Sequence, residues 1–134
     1  MNTIKLLVVL GTLALAGCGS SPKGAVSKDQ LADIRKTAHA VQPGMMRPEV
    51  MARYKTANLV RLSSTRIEDA TIEEWKAEAY NDSKNGRDLS VQFLYFRNDV
   101  LVDASDARLD FRADHALVDR WSHQPAAPQN PSPR

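Results

Sequence analysis

Any chemistry in this chain has to come from few side chains: one cysteine, Cys18, three histidines, His39, His115 and His123, and the 16 Asp and Glu. None of the histidines stands in an H-x-x-x-H or carboxylate-paired spacing that would set two ligands on one helix face for zinc. A single thiol cannot close a structural site. No metal or other cofactor is therefore expected. His39 falls on the polar side of a first helix and His115 at a turn, both suited to solvated side chains. No G-x-S-x-G elbow presents a nucleophile, and no glycine-rich loop cradles a phosphate. Glu73-Glu74 and Asp103, Asp106 and Asp110 read as solvated charge that keeps strand edges from pairing. Nothing in carboxylate spacing selects an acid–base pair, so no catalytic residue is assigned and no enzyme is expected.

Cys18 remains, and its surroundings give it a use. Lys5 precedes an apolar run from Leu6 to Leu15, broken by Gly11 and Thr12. Leu15-Ala16-Gly17-Cys18 is followed at once by Gly19-Ser20-Ser21-Pro22. The run is too short for a bilayer span, which needs roughly 20 apolar residues, and it has the order of a signal peptide. Leu15-Ala16-Gly17-Cys18 resembles a lipobox, the bacterial lipoprotein signal cut between Gly17 and Cys18. That resemblance implies a diacylglycerol on the Cys18 thiol and attachment to a membrane at its periplasmic face. Gly19, rather than Asp, resembles the choice made in outer-membrane lipoproteins.

Cleavage would take 17 residues from the 134 and leave 117, enough for one domain with a modest core. The lipid consumes the only cysteine, so no internal disulfide can assist that core even in an oxidising compartment. With Lys5 gone the 18 Lys and Arg fall to 17, against 16 Asp and Glu. Such balance argues against a nucleic-acid partner, because phosphate binding needs a clustered basic excess.

The division expected is a signal peptide over 1–17, a tether over 18–26, a domain over 27–123 and a Pro-rich tail over 124–134. The tail has four prolines, at 125, 128, 131 and 133, and is expected to be extended and disordered. Ser27 and Gln30 form a capping box, and Leu31, Ile34, Ala38 and Val41 make one apolar stripe behind it. Pro43-Gly44 ends that helix. Pro48 and Glu49 suit the first turn of a second helix, with Val50, Tyr54 and Ala57 inward, Asn58 as its stop and Met46 a poor cap.

Leu59 to Leu62 is β-compatible. Thr65-x-x-Glu68 and the Ala, Glu and Lys that follow would permit a helix, but Trp75, Ala77 and Ala79 alternate with polar neighbours and favour a strand over 72–80. Asn81 to Arg87 reads as a loop. Leu89, Val91, Phe93 and Tyr95 then form the inward face of a strand that turns at Asn98-Asp99 into Val100–Val102. Phe96-Arg97-Asn98-Asp99 is echoed by Phe111-Arg112-Ala113-Asp114, which predicts a second hairpin closed by Trp121. A terminal helix over 113–121 is the alternative. The expected fold is α+β, with two N-terminal helices packed on a three- to four-stranded antiparallel meander.

Successive strand residues face opposite ways, so one helical layer cannot bury both Tyr95 and Phe96. Trp75, Tyr80, Tyr95, Phe96 and Trp121 thus offer a candidate interaction surface for an envelope protein, since aromatic anchors dominate interface energies. A pocket lined by Trp75, Tyr95 and Trp121 would instead suit a small ligand or an enzyme-inhibitor role.

Gly44, Met45, Glu49 and Val50 open the second helix as G-M-x-x-x-E-V. Trp75 follows on a strand, and Phe111, Asp114 and Val118 (or, alternatively, Phe96, Asp99 and Leu101) follow as a hairpin. With the lipobox, this order resembles the SmpA/OmlA (BamE-like) lipoproteins. The resemblance implies two helices on a three-stranded antiparallel sheet and an accessory role in outer-membrane β-barrel assembly. Met46 in place of a Thr cap and Lys55-Thr56-Ala57 in place of a Gly-x-Pro depart from that pattern.

Overall fold

The computed structural model describes residues 23–124. Gly17, Cys18 and the rest of the lipobox-like stretch, together with the tail from Pro125, lie outside the described residues. The fold is α+β, with three helices and one four-stranded antiparallel sheet.

Helix α1 (Lys28–Ala40) starts where its capping box dictates. The Gln30 amide donates to Ser27 Oγ at 3.1 Å, and the Ser27 amide donates to Gln30 Oε1 at 2.9 Å. Leu31 and Ile34 are buried, and Val41 continues their stripe past the last turn. Helix α2 (Arg47–Arg53) carries Pro48 and Glu49 in its first turn, while Met46 at its cap donates and accepts no side-chain bond. This helix ends at Arg53, short of the expected stop, because Asn58 already belongs to a strand. Of the stretch 18–26 expected as a tether, the described residues 23–26 touch the domain. Val26 is buried with its amide on Tyr80 O at 2.8 Å, and the Lys23 amide donates to the Asn58 side chain.

The strands are β1 (Asn58–Ile67), β2 (Ala70–Ser83), β3 (Gly86–Arg97) and β4 (Val100–Ser105), paired in that order. The strand expected over 72–80 is present and longer. Thr65 lies in β1 and Glu68 in a two-residue turn at φ 55°, so no helix cap forms there. The loop expected over 81–87 contracts to Lys84-Asn85, because Ser83 pairs with Gly86. At the third turn Asn98 and Asp99 both take positive φ, 47° and 67°, matching a tight hairpin between right-twisted strands.

Residues 113–121 do not form a second hairpin. After β4 the chain loops back, and α3 (His115–Ser122) begins at Asp114, whose carboxylate accepts from the Leu117 amide at 3.0 Å. Leu117 and Trp121, four apart, both point inward. The capped, i/i+4 pattern prevails over the echo of the first hairpin because it buries Trp121 in one step, without needing a strand partner.

Helices therefore cover both faces of the sheet. On one face Val50 of α2 and Tyr54 after it pack with Ala77, Leu94, Phe96 and Leu101. On the other, Leu117 and Trp121 of α3 pack with Ile72, Tyr95, Val102 and Phe111. The inward face expected for β3 is thus reversed over much of its length. Leu94 and Phe96 fill the larger core, Tyr95 belongs to the other, and Leu89 is 50% exposed. Alternation predicts that neighbours diverge, and two covering layers bury both.

Candidate functional site

A carboxylate sits beneath the loop that joins β4 to α3. Glu74 is 1% exposed on the interior strand β2. It accepts from Arg108 Nε at 3.0 Å and Nη2 at 2.8 Å, from the Tyr95 hydroxyl at 3.2 Å and from Ser63 Oγ at 3.5 Å. The Tyr95 oxygen in turn accepts from the Leu109 amide at 2.7 Å. Burial opposes the charged form of Glu74. The paired guanidinium of Arg108, with the two hydroxyls, outweighs that and holds the carboxyl below its usual range. Tyr95 is pushed up to about 12, first by burial and also by the charge of Glu74.

This corrects the reading of Glu73-Glu74 as edge-guarding charge, because β2 has a strand on either side and no edge to guard. Glu73 accepts from Trp75 Nε1 at 2.7 Å and pairs with Arg47 at 3.3 Å. Asp103 is also engaged, accepting from Trp121 Nε1 at 3.2 Å. Sequence reasoning missed the buried Glu74 and its pairing with the exposed Arg108. The available signal was that Glu74 keeps step with Ile72 rather than with Trp75, Ala77 and Ala79.

The pair has a pH signature. A carboxyl whose pKa is lower folded than unfolded stabilises the fold above the unfolded value, about 4.3 for Glu. That stabilisation is lost as pH falls through the lower folded value. Chemical denaturation from pH 7 down to pH 2.5 should therefore show stability falling below about pH 4.3, and Glu74→Gln should flatten that limb. An unchanged limb in the variant would assign the acid sensitivity to other carboxylates.

Beside this loop, a groove of about 570 Å³ runs between the C-terminal half of β1 and α3. Thr65, Ile67, Phe111, His115, Val118 and Ser122 are among its lining residues. Arg112 crosses it to donate to Thr65 Oγ1 at 2.8 Å. The adjoining sheet edge is long. Strand β1 pairs with β2 alone, whereas the start of the opposite edge strand, β4, is held by Gly44–Arg47 through three backbone bonds at 2.7–2.8 Å, two to Leu101 and one to Asp99 in the turn before it. Further along the sheet face that α3 covers, Val60 and Leu89 are 48% and 50% exposed.

The five aromatic residues expected to form one interaction surface are dispersed. Tyr95, Phe96 and Trp121 are buried, Phe96 on one side of the sheet and the other two on the opposite side. Trp75 packs at the edge of the larger core, and Tyr80 lies half-buried under the Arg87 guanidinium at 4.0 Å. Tyr95 and Trp121 stack at 5.2 Å and 28°, but with Trp75 on the opposite face the three cannot line one pocket. The three histidines are exposed, and His115 is the first residue of α3 rather than part of a turn.

Gly44, at φ 97°, donates its amide to Leu101 O at 2.7 Å, and Met45 O accepts from the Leu101 amide at 2.8 Å. Glu49 pairs with Arg53 at 3.5 Å and Val50 is buried. Gly44 and Met45 thus join the segment before α2 to β4, whereas Glu49 pairs within α2 and Val50 packs in the core. Of the two residue sets aligned with a hairpin, Phe96, Asp99 and Leu101 occupy one, whereas Phe111, Asp114 and Val118 fall on a loop and α3.

Among the described residues, no helix is long and apolar enough to cross a membrane, and no group of three or more His, Cys, Asp or Glu could hold a metal ion. Comparison of the chain with protein-family models, curated proteins and solved structures finds no match.

Proposed function

We propose that this chain is a lipid-anchored protein-interaction module of the bacterial envelope, held at the periplasmic face of the outer membrane through Cys18. The observation that carries this reading is Leu15-Ala16-Gly17-Cys18 placed after Lys5 and an apolar run. The domain begins close behind it. Val26 is already bonded to the sheet, so the eight steps from Cys18 to Val26 allow a reach of at most about 28 Å from the lipid. In this reading α1 and α2 form the two-helix layer of an SmpA/OmlA-like fold, and the free edge of β1 with its groove receives an envelope protein in a role accessory to outer-membrane protein assembly.

Cells grown with labelled palmitate should incorporate label into the wild-type chain and retain it in the membrane fraction. Cys18→Ser should be unlabelled and released, with an unchanged thermal midpoint. Retention of that variant in the membrane would overturn the anchor. In-cell crosslinking should recover one reproducible envelope protein; repeated recovery of the chain alone would overturn the interaction role.

A further inference from the structure

The geometry points to β1 as a docking strand that takes up an extended segment of a partner protein, one alternating carboxylate and apolar side chains. The inference deepens the interaction reading above and rests on it. Strand β1 runs ten residues without proline, and among the described residues no backbone bond reaches its outer edge from Leu59 to Arg66. Strand addition at such an edge draws affinity from main-chain hydrogen bonds and specificity from alternate side chains.

The two faces of β1 ask for different side chains. A bulge between Arg61 and Ser63 lets Arg61, Ser64 and Arg66 share one face, where all three are exposed. Neither arginine has an ion pair among the described residues, and Asn58–Ile67 contains no acidic residue. Exposed charge ordinarily keeps an edge from pairing at random. Opposite a strand bearing carboxylates, the same charge becomes a selector, since opposite-charge cross-strand pairs are favourable and like pairs are not.

On the other face Ser63, Thr65 and Ile67 turn toward α3, and the groove continues from them. Its lining carries charge of both signs, Arg66 at the edge and Arg112 as well as Glu68 and Asp119, so it selects through the apolar surface of Ile67, Phe111 and Val118. An added strand thus places carboxylates beside Arg61 and Arg66 and apolar side chains in the groove. A second copy fits less well, because self-pairing of β1 brings its arginines together with no acid in the strand to offset them.

The test uses the full-length protein in detergent and acetylated nine-residue peptides. One alternates Glu with Val, one alternates Lys with Val, and a third is the Glu/Val peptide N-methylated on every amide of its ladder-forming side. The Glu/Val peptide should bind at least tenfold more tightly than either control and slow exchange of the outward-pointing β1 amides at least tenfold. Arg61→Glu with Arg66→Glu should reverse the preference toward Lys/Val while leaving the circular dichroism unchanged. Equal binding of the two charged peptides, or protection that appears on another element, would refute the docking strand. So would outward-pointing β1 amides, those not bonded to β2, already protected in the protein alone, as another segment of the chain would make them, or protected only at high protein concentration, as a second copy would. These readouts involve neither lipid nor cells, so they can fail while the anchor and crosslinking results stand, and the reverse.

Discussion

Replacing Trp121 with Ala will lower the stability of the fold by about 3–5 kcal/mol, as large aromatic truncations in cores do. For a domain of this size that is a drop of roughly 15–30 °C in thermal midpoint. Trp121 is 2% exposed, stacks on Tyr95, lies 5.9 Å from the Phe111 ring and donates its indole N–H to Asp103. It is the main attachment of α3 to the sheet, and its removal leaves a cavity as well as an unpaired acceptor. The loss should be local first. Amide exchange in α3 should accelerate well beyond that in α1, because α1 packs on the opposite face. Equal acceleration in both helices would mean that the two cores open as one unit.

Phe96→Ala should cost a similar about 3–5 kcal/mol but with a different pattern. Phe96 is fully buried in the larger core, among Val50, Tyr54, Leu94 and Leu101, where α2 meets β3 and β4. Its loss undermines the layer that joins the helices to the centre of the sheet. Exchange should rise in α1, α2 and the central strands together, and the denaturation midpoint should fall with an unchanged denaturant slope. A variant that loosens only α3 would contradict the division of the core. The adjacent positions 95 and 96 thus differ in the layer they support, though both side chains are buried.

Local signals determined much of this protein. Ser27 and Gln30 cap α1 through contacts within one turn, so the start of that helix is readable from four residues. The alternation around Trp75, Ala77 and Ala79 prevails over the helix propensity of Ala, Glu and Lys, because a strand interior to a sheet gains packing on two faces. The turn at Asn98-Asp99 was legible because Asn and Asp tolerate positive φ. The lipobox-like stretch is a matter of residue order alone, and its reading needs no fold.

The tertiary structure decided what local pattern could not carry. Alternation states that Tyr95 and Phe96 point apart, but says nothing about which face is covered. That depended on where the chain went after β4, and it returned as α3 across the second face. The same return path brought the exposed Arg108 down onto Glu74, 34 residues earlier, and left a buried, ion-paired carboxylate where the local pattern reads as solvent-facing. It also converted Tyr95 and Trp121 of the expected surface into core, while the N-terminal helices buried Phe96, and the exposed chemistry was left on the edge of β1. Burial is a property of what the rest of the chain lays over a residue, so residue order alone marks the lipobox-like stretch and most of the elements, and packing decides which of their side chains are covered.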